Sequence, residues 1–293
     1  FLVKYNKNYD ALNYLKRFTQ FISVFKRIYA HNKRFDNGEE TYSLTINGYA
    51  DWYGFEIEQF ASGAQKEPYD FNTVVVRPKA EVVLTRTDLP TGPGSKDWKS
   101  DGYVTPVKDQ GYFCASCWAF AANAALESHL SINGHGLNNA SEQNLIDCNL
   151  NSQTGNFGCK GGSIAAAFMY VKFQPGIADG LLYPYQEDVK HTGTYSCRYN
   201  VSTSIGSTLG YGKLPSGDEV FMKDFVGLIG PIAFTMNAKC DTFIFYKLCK
   251  NSWSTQWGNK GYFRMIRGRN IAGLARNPIY PLVQNITSPY EIS

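Results

Sequence analysis

The tightest constraint on what this chain can fold into is the placement of its cysteines. There are seven in 293 residues, more than a reducing compartment usually leaves without a metal. The odd count fits three bridges and one thiol. Two of them, Cys114 and Cys117, stand in "VTPVKDQGYFCASCWAF". The run "SCWAFAANAALESHLSING" reads as a helix from near Ser116 to Asn133 and Gly134, so Cys117 falls in its first turn. Unpaired N–H groups and the helix dipole there favour thiolate over thiol. Upstream, the amide of Gln110 and the backbone N–H of Cys117 suit an oxyanion on a tetrahedral intermediate. Taken alone, the Cys-x-x-Cys pair also admits two other readings, plain core or disulfide cysteines and the redox pair of a disulfide oxidoreductase. No second pair and no His-x-His spacing completes a tetrahedral zinc site, so neither a metal nor another cofactor is expected.

The rest of the chain divides around that helix. Residues 10–34 read as an amphipathic helix, with Phe18, Phe21, Ile22, Phe25 and Ile28 at three-and-four spacing. "TYSLTING" carries a strand signal in the alternation of Tyr42, Leu44 and Ile46, and "FEIEQF" adds a short helix. Residues 63–97, with Pro78, Pro90 and Pro93, read as an extended connector, and the boundary between two units is expected near residue 89. Ser141 and Ser163 open two further helices, "SEQNLIDC" and "SIAAAFMYVKF". Beyond residue 200 the apolar runs are short and punctuated by Gly, Pro and Ser, which predicts mostly strands. A net charge of +4 without long runs of one sign gives no reason to expect nucleic acid as a partner, and no apolar stretch reaches the eighteen or so residues of a membrane span. Sequons at Asn139, Asn200 and Asn285 agree with a secretory route. Phe1 rather than Met at the start is expected of a fragment or of a precursor trimmed at its front.

From Asp97 onward the motifs "CASCW", "SEQNLIDC", "GCKGG", "YPY", "SCRYN", "GPIAF", "FIFYK" and "KNSWSTQWGNKGYFRM" stand in one order. They resemble the papain family of cysteine peptidases, of the cathepsin L type. In the first unit, Arg17, Phe21, Ile28 and Asn32 match four of six places of that family's propeptide helix pattern, with Asn13 and Val24 departing; Asn47, Tyr49 and Asp51 echo its next motif. The resemblance implies an α+β, two-lobed fold, with a helical lobe and an antiparallel barrel-like lobe over 90–293. A mainly helical inhibitory propeptide over 1–89 precedes it. It implies hydrolysis of protein or peptide substrates by a monomer, a propeptide acting as intramolecular inhibitor, and a lysosomal or extracellular location. By the same resemblance Cys117 is the nucleophile, Gln110 the oxyanion donor, and Asn251 the residue orienting a catalytic imidazole beneath Trp253, with Trp257 beside it. Gly161 and Gly162 pair with extended substrate. Cys114 matches a partner for Cys159, and Cys148 one for Cys197.

The imidazole itself is the departure. The family places its histidine roughly 130–150 residues after the cysteine, yet residues 192–293 contain none. Between "FIFYK" and "KNSW" the family carries a further two to three dozen strand-rich residues, whereas here Lys247 runs directly into Leu248. His31 would leave with the propeptide. His129 sits about 18 Å along the helix from Cys117 at 1.5 Å per residue, and His135 and His191 lie in loops. All four read as solvated or satisfied polar residues, so the chain as written is expected to be inactive. The alternative reading is a non-catalytic homologue that binds peptides or inhibitors. Ala272 supports it, standing where the family has the cysteine of a third bridge and leaving Cys240 and Cys249 as candidates to pair with each other. Two further departures bear on the oxyanion site. One residue more than usual separates Gln110 from Cys117, and Ala115 replaces a glycine.

Overall fold

The computed structural model describes residues 1–40, 43–61, 82–150, 155–174, 176–186, 196–236, 249–265 and 268–283. The first unit is built on α1 (Ala11–Asp36), whose first turn is capped by Asp10, its side chain accepting from the N–H groups of Leu12 and Asn13. A short helix, α2 (Gly54–Ala61), follows. Arg17 of α1 clamps Glu56 of α2 with Nη1 and Nη2 and donates to the Asp51 carbonyl, while Tyr9 donates to the Asp51 carboxylate. Of the strand expected at Tyr42, Leu44 and Ile46, Tyr42 lies outside the described residues, and residues 43–47 form no strand with any described neighbour. Instead Asn32 of α1 serves both sides of Leu44, donating to its carbonyl at 2.9 Å and accepting from its N–H at 2.6 Å.

The helical lobe packs α3 (Cys117–Ile132) against α4 (Glu142–Cys148) and α5 (Ile164–Phe173). Ser141 and Ser163 cap the latter two by accepting from Asn144 N–H and Ala166 N–H. Between them lies a core of Trp118, Leu126, Leu130, Leu145, Ile146 and Phe168. Bridges join Cys114 to Cys159 and Cys148 to Cys197, closing loops of 45 and 49 residues that each remove roughly 3–4 kcal/mol of chain entropy from the unfolded state.

Among the described residues the second lobe departs from the mostly-strand expectation. The strands described are two or three residues long: β1 (Val82–Val83), β2 (Tyr211–Lys213) and β5 (Ile279–Pro281) form one sheet in the order β1-β2-β5. β3 (Cys249–Lys250) and β4 (Tyr262–Phe263) form a second, antiparallel pair. A helix that the chain's punctuation hides, α6 (Glu219–Leu228), supplies much of the core through Phe221, Met222 and Phe225. Its signal was present in "GDEVFMKDFVGLIG", where Asp218 caps by accepting from Phe221 N–H at 3.0 Å. Cys240 lies outside the described residues; Cys249 is buried in β3.

The lobes meet across a buried ionic cluster. Lys108 donates to Glu127 of α3 at 2.7 Å, to Glu142 of α4 at 2.6 Å and to the Ala140 carbonyl at 3.0 Å. Burial presses the Lys108 ammonium down, but Glu142 and Glu127 outweigh it and hold its pKa above the usual lysine value. Thr105 donates to the second oxygen of Glu127 and receives Lys250 of β3 on its hydroxyl and carbonyl, both at 2.9 Å. Replacing Lys108 by Met leaves two carboxylates buried without their cation. Unfolding in urea should show a loss of roughly 3–5 kcal/mol; a loss below 1 kcal/mol would mean that the cluster holds nothing together.

Candidate active site

The first residue of α3 is Cys117, and the segments on either side of it are fixed before any side chain is considered. Residues 108–110 pair with 252–254 across the lobes: Gln110 N–H donates to the Ser252 carbonyl at 2.8 Å and Ser254 N–H to the Lys108 carbonyl at 3.3 Å. Gln110 is fully buried. Its Oε1 accepts from Ser252 Oγ at 2.6 Å and its Nε2 donates to the Cys114 carbonyl at 3.1 Å. The extra residue after Gly111 is accommodated on the outside, leaving Tyr112 and Phe113 exposed while Gln110 stays anchored.

On the other flank, Ala115 N–H donates to the Cys159 carbonyl at 3.0 Å, so hydrogen bond and disulfide together seat the Gly158–Gly162 turn against α3. Trp118 Nε1 donates to the Gly158 carbonyl at 3.1 Å. Gly161 has φ +113°, and a Cβ on Gly162 would stand 2.5 Å from the Trp118 ring and 2.6 Å from Asn156 Oδ1. Glycine is required at these two positions of the turn. A Gly162→Ala variant should therefore lose on the order of 1–3 kcal/mol in thermal unfolding by overpacking.

A cavity of about 530 Å³ opens beside the thiol, with Cys117 and Ala121 of α3, Met222 of α6, and Asn251, Trp253 and Phe263 among its walls. The two flanks of the site thus share one space. Asn251 is held by its N–H to the Gly261 carbonyl and accepts from Ser252 N–H at 2.8 Å. Trp253 and Trp257 meet edge to face at 5.1 Å, and Trp257 meets Phe263 at 5.5 Å. No histidine lies among the described residues lining the cavity. His129 is buried at the far end of α3 with Nε2 2.8 Å from the Pro231 carbonyl, His31 is buried in the first unit, and His135 is exposed. His191 falls outside the described residues.

The first unit reaches this site through aromatic contact. Tyr49 lies 5.8 Å from Tyr112 and 5.2 Å from Trp253, ring to ring. Trp52 lies 5.5 Å from Tyr112, and Lys7 Nζ stands over both Trp52 and Tyr112 at 5.7 and 5.5 Å. Tyr112, one of the two residues standing where the family has one, is thus a receiving ring together with Trp253.

The electrostatics run against the expected thiolate. Cys117 keeps some surface, yet burial of its sulfur pushes the thiol up to about 11, outweighing the backbone N–H groups of Trp118 and of Cys117 itself. Helix placement alone does not ionise it. At pH 7 that leaves about one thiol in 10⁴ as thiolate. Alkylation of Cys117 by iodoacetamide should consequently rise about tenfold per pH unit from pH 7 to about 10; a plateau below pH 8 would show a thiol ionised by some other group.

His129 has the opposite character, its pKa lowered to about 4 by burial, with the Pro231 carbonyl opposing. The unfolded imidazole takes up its proton near 6.5, so the folded state loses stability as pH falls from about 6.5 to 4, by an amount on the order of 3 kcal/mol. His129→Gln, which keeps a donor for Pro231, should flatten the decline in melting temperature over that range.

Among the described residues no group of three or more potential ligands forms a metal site, and no helix is long and apolar enough to cross a membrane. Asn139 and Asn200 are exposed; Asn285 lies outside the described residues.

With this geometry in hand, comparison with known proteins gives the family. A model of the papain family cysteine proteases matches residues 92–249 and 246–282, and one of the cathepsin propeptide inhibitor domain matches residues 1–56. The chain is 34% identical to a cathepsin L-like peptidase of Aedes aegypti over 97% of this chain and 91% of the relative. It is 33% identical to procathepsin L of Felis catus over 88% and 83%. The solved structure of digestive procathepsin L2 of Tenebrio molitor superposes with a TM-score of 0.83 at 27% identity, covering 97% of this chain and 98% of that one. The chain belongs to the papain family of cysteine proteases. It is a zymogen-type, procathepsin L-like member that carries its inhibitor domain ahead of the protease unit.

Proposed function

We propose that the chain is a cysteine endopeptidase zymogen whose working groups are Cys117 as nucleophile, Gln110 with the Cys117 backbone N–H as oxyanion donors, and Asn251 under Trp253 as the seat of an imidazole this polypeptide does not carry. On this reading residues 1–89 are the inhibitory unit and 90–293 the peptidase unit, and without that imidazole the chain as written is catalytically silent. The carrying observation is the cavity that Cys117 and Asn251 line together with no histidine among its described walls.

The comparisons support a missing stretch. The two pieces of the family match meet at residues 246–249, around the Lys247–Leu248 junction. The alignment to the Aedes relative spans 318 positions against a chain of 293, so that relative has at least two dozen residues without a counterpart here. The exposed sequons Asn139 and Asn200 support passage through the secretory route to a lysosomal or extracellular site. Peptides or proteins are the substrates, and the enzyme works as a monomer.

A second reading, a non-catalytic homologue that binds peptides, is favoured by Ala272. That residue stands where the family's third bridge has a cysteine, and its side chain cannot form one.

Without an imidazole to take the thiol proton and return it to the departing amine, roughly 10² to 10⁴ in rate is lost. After the first unit is removed, hydrolysis of a fluorogenic peptide should not exceed that of a Cys117→Ser control. Insertion of a histidine-bearing stretch between Lys247 and Leu248 should raise it at least about a hundredfold. Turnover ordinary for the family in the unmodified chain, abolished by Cys117→Ser, overturns the reading. Failure of the insertion favours the peptide-binding homologue.

A further inference from the structure

The side of α1 that looks away from the rest of the first unit is its apolar side. At about 3.6 residues per turn, Leu15, Ile22 and Tyr29 fall on one line along the helix and Phe18 and Phe25 on the next, a stripe about 21 Å long at about 1.5 Å per residue. Leu15 is 63% exposed, Phe18 48%, Phe25 45% and Tyr29 67%. The polar side chains are the ones turned inward. Gln20 donates to the Trp52 carbonyl at 3.0 Å, Arg17 holds Glu56, and His31 is buried. A helix on the surface of a globular unit ordinarily does the reverse, setting its apolar stripe against the core, and a row of large exposed apolar side chains marks a surface that meets something.

Cations border that stripe. Lys16, Lys26 and Arg27 lie on one side of it, and Lys33 stands one turn past Tyr29. Among the described residues none of these four joins an ion pair, whereas Arg17 and Arg34 are paired with Glu56 and Glu40. Asp36 is the one acidic residue in the helix. The chain's net charge of +4 understates this face, because at physiological salt charges farther away than about 8 Å are largely screened. We propose that the outer side of α1 binds an anionic lipid surface, lying flat with Leu15, Phe18, Phe25 and Tyr29 at the headgroup boundary and the lysines and Arg27 on the lipid charges. The combination selects this occupant: large apolar side chains in one row, with unpaired cations beside them, make an interfacial helix. A second copy docked on the same stripe would instead bring its own Lys16, Lys26 and Arg27 up to the seam. The face belongs to the first unit, so on the zymogen reading the precursor sits on the membrane and the severed protease unit leaves it; the binding itself needs neither that reading nor activity.

The test is sedimentation of the full chain with vesicles, either phosphatidylcholine alone or phosphatidylcholine and phosphatidylglycerol in equal parts. The chain should partition onto the mixed vesicles at least about tenfold more strongly than onto phosphatidylcholine. Lys26→Gln with Arg27→Gln should weaken that partition by about tenfold to thirtyfold, each cation near an anionic surface being worth about fivefold. Leu15→Ser with Tyr29→Ser should weaken it at least about tenfold, by removing the apolar side chains that enter the boundary. Should that pair fail to fold, Phe18→Ser alone reads the same face. Failure to sediment with the mixed vesicles, or equal partition onto both kinds, overturns the proposal. So does an unchanged partition of the serine variants, which would leave only charge at work. A chain that is a dimer at sedimentation equilibrium without lipid, and a monomer once Leu15 and Tyr29 are serine, gives the stripe to a second copy and overturns it as well.

Discussion

Two carboxylates, Glu127 and Glu142, are carried into the interior by α3 and α4, and the helices cannot settle against each other until a cation meets them there. Lys108 meets both. Charges taken out of water this far cost more than their attraction returns unless the geometry is tight and the remaining lone pairs are served; here Thr105 and Ala140 serve them. The position of Lys108 then decides much else. Two residues later Gln110 is delivered to Ser252, and the paired backbones of 108–110 and 252–254 hold one lobe to the other. Lys250, its pKa lowered to about 8 by burial, enters the same cluster from β3. The site sits on a seam closed by electrostatics, with the thiol on one side and Asn251 on the other.

Apolar packing does the complementary work. The helical lobe is a continuous core with two bridges across its loops, whereas the second lobe relies on α6, short strands and a run of aromatic rings from Trp253 through Trp257 to Phe263. Rings at this spacing contribute about 0.5–1.5 kcal/mol per pair beyond burial. Trp253 and Phe263 wall the cavity beside Cys117, and Trp253 also receives Tyr49 from the first unit, so one ring shapes both the site and the surface that covers it.

Much of this could be read from the sequence, and the misses have physical causes. The helices α1, α4 and α5 were legible because the caps Asp10, Ser141 and Ser163 coincide with apolar runs, and α3 because it is rich in alanine and stops at Asn133 and Gly134. α6 was hidden by the glycines and prolines around it, although Asp218 marked its start. Leu44 looked like a strand because alternation reports a half-buried extended segment, and cannot show that its hydrogen-bond partner is the side chain of Asn32 rather than another strand. The ionisation of Cys117 was misjudged for a related reason. The helix terminus is visible in sequence, but the desolvation that outweighs it depends on how closely the folded chain packs around the sulfur.

The tilted contact of Tyr49 with Tyr112 joins two parts of a single polypeptide. While the chain between them is whole, dilution cannot separate them, since each meets the other at the same local concentration in any volume. Scission changes the order of the equilibrium. The identical rings, at the identical 5.8 Å, then belong to two molecules, and their contact weakens with every dilution. The inhibitor's grip is set by covalent continuity as much as by its contacts, so a single hydrolysed bond alters how strongly the site is covered without moving an atom within it.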